Sequence, residues 1–424
     1  MTLLRMIPLL LLLPLAAQDP DTFDRLHERG IEAYRQKDYK ELLNCMERAR
    51  ALKPHHVRTL FNLSFAYLLV GDADRAVIEM NRLAQRGLVY EIETHPVFSK
   101  LRDGAGYAAL AERFAQNRLP INHSLTAFVL PQKDFFPEGI TWDSERKLFL
   151  VGSIHQRLIL SIDAQGNTRR FIQPAQDGIW SVLGLAAHGP SRRLWACSTA
   201  FPQTKDIQPG EKGRAGLFLY HLDTGRLLKK WLLSNEDGEQ NLGDLTLDGK
   251  GQAFVSDGRT GTVYRVDAEA DQLETFWRGT PLVSPQGLAL SADETRLYVA
   301  DYRNGLFYID TKHRTIHPLG APPELVLEGI DGLAAVPGNG LIAIQNGITP
   351  HRVVRWQLNG EGTLIEKADI LEMNNPLFDE PTLGVPVDGS FYYVANSQWG
   401  KYTEDHLPLP EDQLETIRIL KLKL

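Results

Sequence analysis

The stretch PQGLALSADETRLYVAD, residues 285–301, decides the fold of this chain. It contains two short apolar segments separated by a polar turn, with Gly287 near its start and Asp301 at its end, as expected for a β-hairpin. The same spacing of a glycine and a small polar residue recurs at Gly139 and Ser153, Gly184 and Ser198, Gly243 and Asp257, and Gly332 and Asn346. A sixth pair, Gly384 and Asn396, is slightly closer in sequence.

Each pair is followed by further β-rich segments, which gives a repeat of roughly 45 to 60 residues, typical of propeller blades. We therefore predict a six-bladed all-β propeller over residues 123–424. Beyond Asn396 the chain has room for one more strand, at 415–424, and residues 124–130 are predicted to supply the missing outer strand. This joint closes the ring and leaves no open sheet edge. We interpret the recurring polar residues mainly as caps of strand ends.

A different period, of 34 residues, precedes the propeller. The corresponding residues are Leu26 and Leu60, Gly30 and Ser64, Asp38 and Asp72, Leu42 and Ala76, and Met46 and Met80. This pattern, with Ala66, Tyr67 and Gly71, resembles tetratricopeptide repeats. It predicts an α-helical repeat domain at 22–117 and a linker at 118–122. Such a domain either binds a protein partner in a groove or serves as a structural or docking module.

The first 17 residues have the pattern of a secretory signal peptide. Arg5 is followed by an apolar run that ends at Ala16 and Ala17, and the run is too short to span a bilayer comfortably. We expect an exported protein, periplasmic or secreted, with no stable membrane span after cleavage. The two cysteines, Cys45 and Cys197, fall in different predicted domains and are expected to be buried thiols.

Composition and motifs exclude several functional classes. The 424 residues carry a formal net charge of -7, which gives no basic surface for nucleic acid. The sequence has no phosphate-binding loop, no HExxH zinc motif and no Gly-x-Ser-x-Gly nucleophile motif.

The central channel is the predicted location of any ligand. The residues just before the repeat glycines face one another where the innermost strands begin: Glu138, Leu183, Leu242, Gln286, Asp331 and Leu383. Glu138, Gln286 and Asp331 offer side-chain oxygens of the kind that bind divalent cations such as Ca²⁺. A carboxylate at such an ion can also act as a general base. Weaker candidates for a pocket on one face are Asp177, Trp180, His351 and Trp399.

The blade openings Pro137–Ile140, Pro285–Leu288 and Ile330–Leu333 resemble those of the gluconolactonase and regucalcin family. They are similar, more loosely, to those of strictosidine synthases and paraoxonases. The resemblance implies one Ca²⁺ or Zn²⁺ in the channel, bound by Glu138 and Asp331, with Asp331 as the base in lactone hydrolysis.

The amide positions depart from the family pattern. Gln286 stands where the family has Asn, and Gly243 replaces a second Asn, for which the neighbouring Asp244 could substitute.

Two functions remain open at this point. The first is an exported binding or assembly protein, whose helical repeats contact a protein partner and whose propeller binds a small ligand or a protein. The second is a divalent-metal-dependent hydrolase of lactones or related esters. The loss of a side-chain oxygen at Gly243 and the combination of two common interaction folds favour the first function, with the second as the alternative.

Overall fold

The computed structural model describes residues 22–92, 95–234 and 238–424. Within them, the chain divides into two compact units. Residues 22–80 and 95–105 form the first, and residues 81–92 and 106–424 form the second. The predicted signal peptide at 1–17 lies outside the described residues. No helix in the described part of the chain is long and apolar enough to cross a membrane.

Five α-helices occupy the region in which the sequence predicts helical repeats. They are α1 (Phe23–Arg35), α2 (Tyr39–Leu52), α3 (Val57–Leu69), α4 (Ala73–Gln85) and α5 (Tyr107–Asn117), with a 3₁₀ helix at Phe98–Asp103. Asp38 and Asp72 act as predicted, because their carboxylates accept hydrogen bonds from the backbone N–H groups of Glu41 and Arg75. The helix α2 ends two residues before Pro54, which cannot continue it.

The 34-residue period corresponds to buried positions in the first unit. Leu26, Leu60 and Met46 are almost fully buried. Gly30 allows α1 and α2 to approach closely, since a Cβ there would lie 2.7 Å from the Cε atom of Met46. The division between the two units falls inside α4.

The described residues of the second unit form 24 strands. The strand β1 is Leu125–Leu130. Strands β2 to β5 are Pro137–Asp143, Leu148–Ser153, Ile159–Ile162 and Thr168–Ile172. Strands β6 to β9 are Ser181–His188, Arg193–Thr199, Ala215–His221 and Leu227–Leu232. Strands β10 to β13 are Leu242–Leu247, Ala253–Asp257, Thr262–Val266 and Glu274–Arg278.

The remaining strands continue this pattern. Strands β14 to β17 are Pro285–Leu290, Arg296–Asp301, Gly305–Asp310 and Ile316–Pro318. Strands β18 to β21 are Ile330–Val336, Gly340–Gln345, Arg352–Leu358 and Ile365–Met373. Strands β22 to β24 are Gly384–Val387, Ser390–Val394 and Ile417–Lys423.

These strands form six four-stranded antiparallel sheets, which confirms the predicted six-bladed propeller. Five sheets are built from consecutive strands, and the sixth has the order β22-β23-β24-β1. The first strand of the propeller therefore pairs with the last, with Leu130 opposite Ile417. The closure predicted from residues 124–130 and 415–424 is confirmed.

The repeat glycines lie where neighbouring inner strands come closest. The inner strands β2, β6, β10, β14, β18 and β22 contact one another in ring order, and β22 contacts β2. A Cβ added at Gly139 would lie 2.1 Å from the carbonyl oxygen of Leu183, on the next inner strand. A Cβ at Gly184 or Gly287 would meet the backbone of the following inner strand at 2.6–2.7 Å, and one at Gly332 would lie 2.6 Å from the carbonyl oxygen of Thr382, just before β22. At these four positions the glycine is thus required by the convergence of the strands on the channel.

Most of the recurring polar residues cap strand ends, as predicted. Asp301 accepts hydrogen bonds from the backbone N–H groups of Val283, Ser284, Arg303 and Asn304. Comparable backbone contacts are made by Ser153, Ser198, Asp257 and Asn396. The remaining member, Asn346, reaches the channel and belongs to the site described below.

Candidate active site at the channel mouth

The predicted site residues lie at the beginnings of three inner strands. Glu138, Gln286 and Asp331 are each the second residue of their strand, in β2, β14 and β18. The pairing with the next strand is irregular at each of these positions. Such irregularities redirect side chains and are frequent beside active sites. We call this end of the channel the mouth.

Glu138 is held firmly at the mouth. Its side chain is 7% exposed. Its Oε2 atom accepts a hydrogen bond from the indole N–H of Trp399 at 2.9 Å and one from the hydroxyl of Ser397 at 3.3 Å. Its backbone carbonyl accepts a third from Thr382. Trp399, predicted only as a weak pocket residue, therefore orients the first carboxylate of the site.

Asp331 is held by an amide that the sequence did not single out for this role. The Nδ2 atom of Asn346 donates to Asp331 Oδ2 at 2.7 Å and to the carbonyl of Pro381. The hydroxyl of Tyr302 donates to Asn346 Oδ1 at 3.1 Å, which fixes the orientation of the amide. The chain from Tyr302 through Asn346 to Asp331 thus positions the second carboxylate.

The two carboxylates are electrostatically coupled. Burial raises the pKa of Glu138 well above its usual value, and repulsion by Asp331 raises it further. Burial raises the pKa of Asp331 to about 6, although the hydrogen bond from Asn346 acts in the opposite direction. Two acids in one water-poor space cannot both ionise without a compensating positive charge. The mouth therefore favours either a shared proton or a bound cation.

Gln286 extends across the mouth toward the third blade. A Cβ at Gly243 would lie 2.9 Å from Gln286 Oε1, and a Cβ at Gly258 would lie 2.7 Å from its Nε2. The amide therefore occupies space that two glycines leave free. The amide of Gln286 therefore fills the space that a side chain at position 243 would occupy.

Asp244 lies deeper in the channel. Its carboxylate accepts hydrogen bonds from the backbone N–H groups of Leu245, at 2.8 Å, and Leu288, at 3.4 Å. Burial raises its pKa to about 7, with a smaller contribution from Asp331. Asp244 interacts electrostatically with the mouth, but its hydrogen bonds are all to backbone.

A further acid, Glu380, was missed by the sequence analysis. Burial raises its pKa to about 7, with contributions from Asp331 and Asp379. Its backbone has a positive φ of 63°, which is uncommon outside glycine. The signal in the sequence is the acidic pair Asp379 and Glu380 just before the sixth inner strand.

The other predicted pocket residues divide into two groups. His351 is near this acidic pair, since Asp379 raises its pKa while burial lowers it by more. Trp180 is buried, and its indole N–H donates to Glu211. Asp177 is exposed, and its contacts are with Gln176 and Lys230. Trp180 and Asp177 therefore have partners outside the mouth, and His351 interacts electrostatically with Asp379, the neighbour of Glu380.

The mouth offers a partial ligand set for a divalent cation. No group of three or more His, Cys, Asp or Glu side chains suited to a metal ion occurs among the described residues. Oxygen ligands are nevertheless present. Within the described part of the chain, Glu138 Oε1 and Asp331 Oδ1 accept no hydrogen bond, while the second oxygen of each carboxylate is held in place. Two such oxygens and the amide oxygen of Gln286 are ligands that suit Ca²⁺.

Several solved structures are similar to about 70% of this chain. A gluconolactonase from Xanthomonas campestris is 14% identical over 73% of this chain and 93% of its own, with a TM-score of 0.48. The calcium-binding protein regucalcin from Agrobacterium tumefaciens is 15% identical over 70% and 95%, with a TM-score of 0.49. A PQQ-bound aldose sugar dehydrogenase from Streptomyces coelicolor is 14% identical over 70% and 96%, with a TM-score of 0.48.

No curated protein matches the sequence. Residues 136–368 match the family described as the SMP-30/Gluconolactonase/LRE-like region. The matched segment begins at Phe136, just before Glu138, and includes Gln286 and Asp331. Because it covers more than half of the chain, the protein belongs to the SMP-30/gluconolactonase/LRE-like family.

Proposed function

We propose that this protein is a divalent-metal-dependent hydrolase of lactones or related esters. The observation that supports the proposal most strongly is the pair of carboxylates at the mouth, the buried Glu138 and the partly buried Asp331, in the propeller of a gluconolactonase-like family member. The sequence features favoured a binding or assembly protein, with the hydrolase as the alternative. Family membership favours the hydrolase.

Glu138, Asp331 and Gln286 are the residues that would hold the ion. A bound Ca²⁺ or Zn²⁺ would supply Lewis-acid polarisation of the lactone carbonyl. Trp399 and Ser397 occupy one oxygen of Glu138, so that its other oxygen is left to the channel. This arrangement presents the carboxylate without rotational freedom, which reduces the entropy lost on binding.

Asp331 is suited to act as the general base. Asn346 holds its Oδ2 atom, which leaves Oδ1 to accept a proton from a water molecule that attacks the lactone carbonyl. In the absence of an ion, burial raises the pKa of Asp331 to about 6, so that it is more basic than an ordinary aspartate. The proton would then pass to the alcohol released when the ring opens.

The test is to measure metal content and lactone hydrolysis together. Full-length protein would be assayed with an aldonolactone in the presence of Ca²⁺ or Zn²⁺, and again after treatment with a chelator. We expect about one divalent ion per chain and activity that the chelator abolishes. Asp331→Asn should lower kcat by about a hundredfold or more, while Asp177→Asn, at an exposed carboxylate outside the mouth, should leave it unchanged.

Two results would contradict the hydrolase proposal. The first is a preparation that binds no divalent metal and turns over no lactone. The second is equal activity of Asp331→Asn and Asp177→Asn. Either result would favour the binding or assembly function that the sequence also allows.

A further inference from the structure

A short stretch of chain, residues 379–382, is hydrogen-bonded to both sides of the mouth. We call it the bridging segment. The carbonyl of Pro381 accepts a hydrogen bond at 3.0 Å from Asn346, whose amide holds the second carboxylate of the mouth. The hydroxyl of Thr382 donates to the backbone carbonyl of Glu138 at 3.0 Å. The bridging segment thus contacts the groups that carry or hold both carboxylates.

Glu380 lies within this segment, and its backbone is held in an unusual conformation. Its carbonyl oxygen accepts a hydrogen bond at 3.2 Å from the backbone N–H of Ser397, the residue whose hydroxyl donates to Glu138. Its φ of 63° is uncommon for a residue other than glycine. Strained backbone of this kind concentrates at functional sites, where the surrounding contacts keep the residue in place. The position of Glu380 therefore indicates a role in the mouth.

The carboxylate of Glu380 differs from the other two in its hydrogen bonding. The side chain of Glu138 accepts two hydrogen bonds and that of Asp331 accepts one. In the described part of the chain, the partly buried carboxylate of Glu380 accepts no hydrogen bond and forms no ion pair. Hydrogen-bond donors favour the ionised form of an acid, and Glu380 has none. Since Glu138 and Asp331 act in ionised form in the proposed reaction, Glu380 is the mouth acid that is left to carry a proton.

Glu380 interacts electrostatically with the other groups of the mouth. Burial, with smaller contributions from Asp331 and Asp379, raises its pKa to about 7. After burial, its charge contributes to the raised pKa of Glu138 and of Tyr302. Such interactions weaken with distance, which agrees with the backbone contacts that join the bridging segment to both sides of the mouth.

We infer that Glu380 is the general acid of the proposed hydrolysis and donates a proton to the ring oxygen of the lactone. The inference rests on the proposed function. Asp331 removes a proton from water as the water oxygen bonds to the carbonyl carbon. The ring C–O bond then breaks as Glu380 protonates the departing oxygen, which gives the hydroxy acid. The proton on Asp331 afterwards passes through solvent water to Glu380, so that both side chains return to their starting states.

Two lactones of the same ring size separate this role from others, because a general acid is needed only for a poor leaving group. Hydrolysis of δ-valerolactone releases an alkoxide, which requires a proton as it departs. Hydrolysis of dihydrocoumarin releases a phenolate, whose conjugate acid has a pKa of about 10, and which departs without one. The full-length protein would be assayed on both substrates in the presence of Ca²⁺.

Glu380→Gln keeps the size of the side chain and removes its acidic proton. We expect kcat for δ-valerolactone to fall by about a hundredfold or more, while kcat for dihydrocoumarin stays close to the wild-type value. That second rate also shows that the variant is folded. Calorimetry should show unchanged Ca²⁺ affinity. The matched control is Asp379→Asn, which removes the neighbouring carboxylate and should leave the ratio of the two rates as it is in the wild type.

Three results would overturn the inference and leave the hydrolase proposal standing. They are a wild-type rate of Glu380→Gln on δ-valerolactone, an equal loss on both substrates, and weakened Ca²⁺ binding, which would make Glu380 a ligand. A wild-type protein that hydrolyses neither lactone would instead refute the proposed function, and the inference with it.

Discussion

Replacing Gly139 by alanine tests whether the convergence of the inner strands explains the repeat glycines. The added Cβ would lie 2.1 Å from the carbonyl oxygen of Leu183 and 3.1 Å from the backbone nitrogen of Leu185. In folded proteins, contacts between a Cβ atom and another heavy atom are essentially never shorter than 3.0 Å. The strands β2 and β6 must therefore separate by about 1 Å, because the backbone of each strand is hydrogen-bonded in its own sheet and cannot rotate to relieve the contact.

We expect Gly139→Ala to lower the free energy of unfolding by about 3 kcal/mol, the upper end of the usual cost of overpacking. The matched control is Gly243→Ala, at the same position of the third blade. There the new Cβ would meet only the flexible end of Gln286, at 2.9 Å, so that we expect a loss of about 1 kcal/mol or less.

The assay is equilibrium unfolding in guanidinium chloride, followed by tryptophan fluorescence. Several of the tryptophans, including Trp195 and Trp356, are buried in the propeller and report on its unfolding. If Gly139→Ala and Gly243→Ala shift the midpoint equally, the contact between inner strands does not explain the glycine, and the reasoning is refuted.

Three further predictions concern single side chains. Trp399→Phe removes the hydrogen bond to Glu138, so we expect calorimetry to show Ca²⁺ binding weakened by about tenfold; unchanged affinity would contradict the assignment of Glu138 as a ligand. The raised pKa of Asp244, about 7, means that the folded state holds its proton more tightly. Stability without metal should therefore fall as pH rises from about 4 to 7, by up to about 1.4 kcal/mol per pH unit from this group. Asp244→Asn should make the decline shallower, and an identical pH profile would count against burial as its cause. Glu372 is fully buried and accepts hydrogen bonds from His123 and Ser124, just before β1, and from Asn375. Glu372→Ala should lower the free energy of unfolding, measured with denaturant, by about 3 kcal/mol. A loss no larger than that of a substitution at the protein surface would refute the stabilising role of Glu372.

The propeller could be predicted because its defining constraint is local. Each blade places a glycine and a capping residue at fixed positions, and both are visible in segments as short as 285–301. Closure followed from counting the strands left over at 124–130 and 415–424. The glycine and the capping residue recur at the same positions of each blade, so they can be recognised in the sequence without knowing which blades are neighbours.

The contacts of the mouth were harder to predict, because they join blades that are distant in sequence. Trp399 donates to Glu138 across 261 residues. Asn346 follows the same spacing as Asp301, yet it directs its amide to Asp331 instead of capping a turn. Which of two chemically similar residues faces the channel depends on the loops beside it, and the repeat pattern does not contain that information.

Gln286 illustrates how a departure from a family pattern can be part of a site. When the two positions are compared with the family pattern separately, Gly243 lacks the expected ligand side chain and Gln286 has an amide on a longer side chain than the expected Asn. In three dimensions the two changes are adjacent, because the amide of Gln286 lies over Gly243 and a side chain at 243 would displace it. A longer amide on the fourth blade and a glycine on the third thus fit each other sterically. The pair is therefore better treated as one substitution than as two defects, because the amide of Gln286 fills the space that a side chain at 243 would occupy.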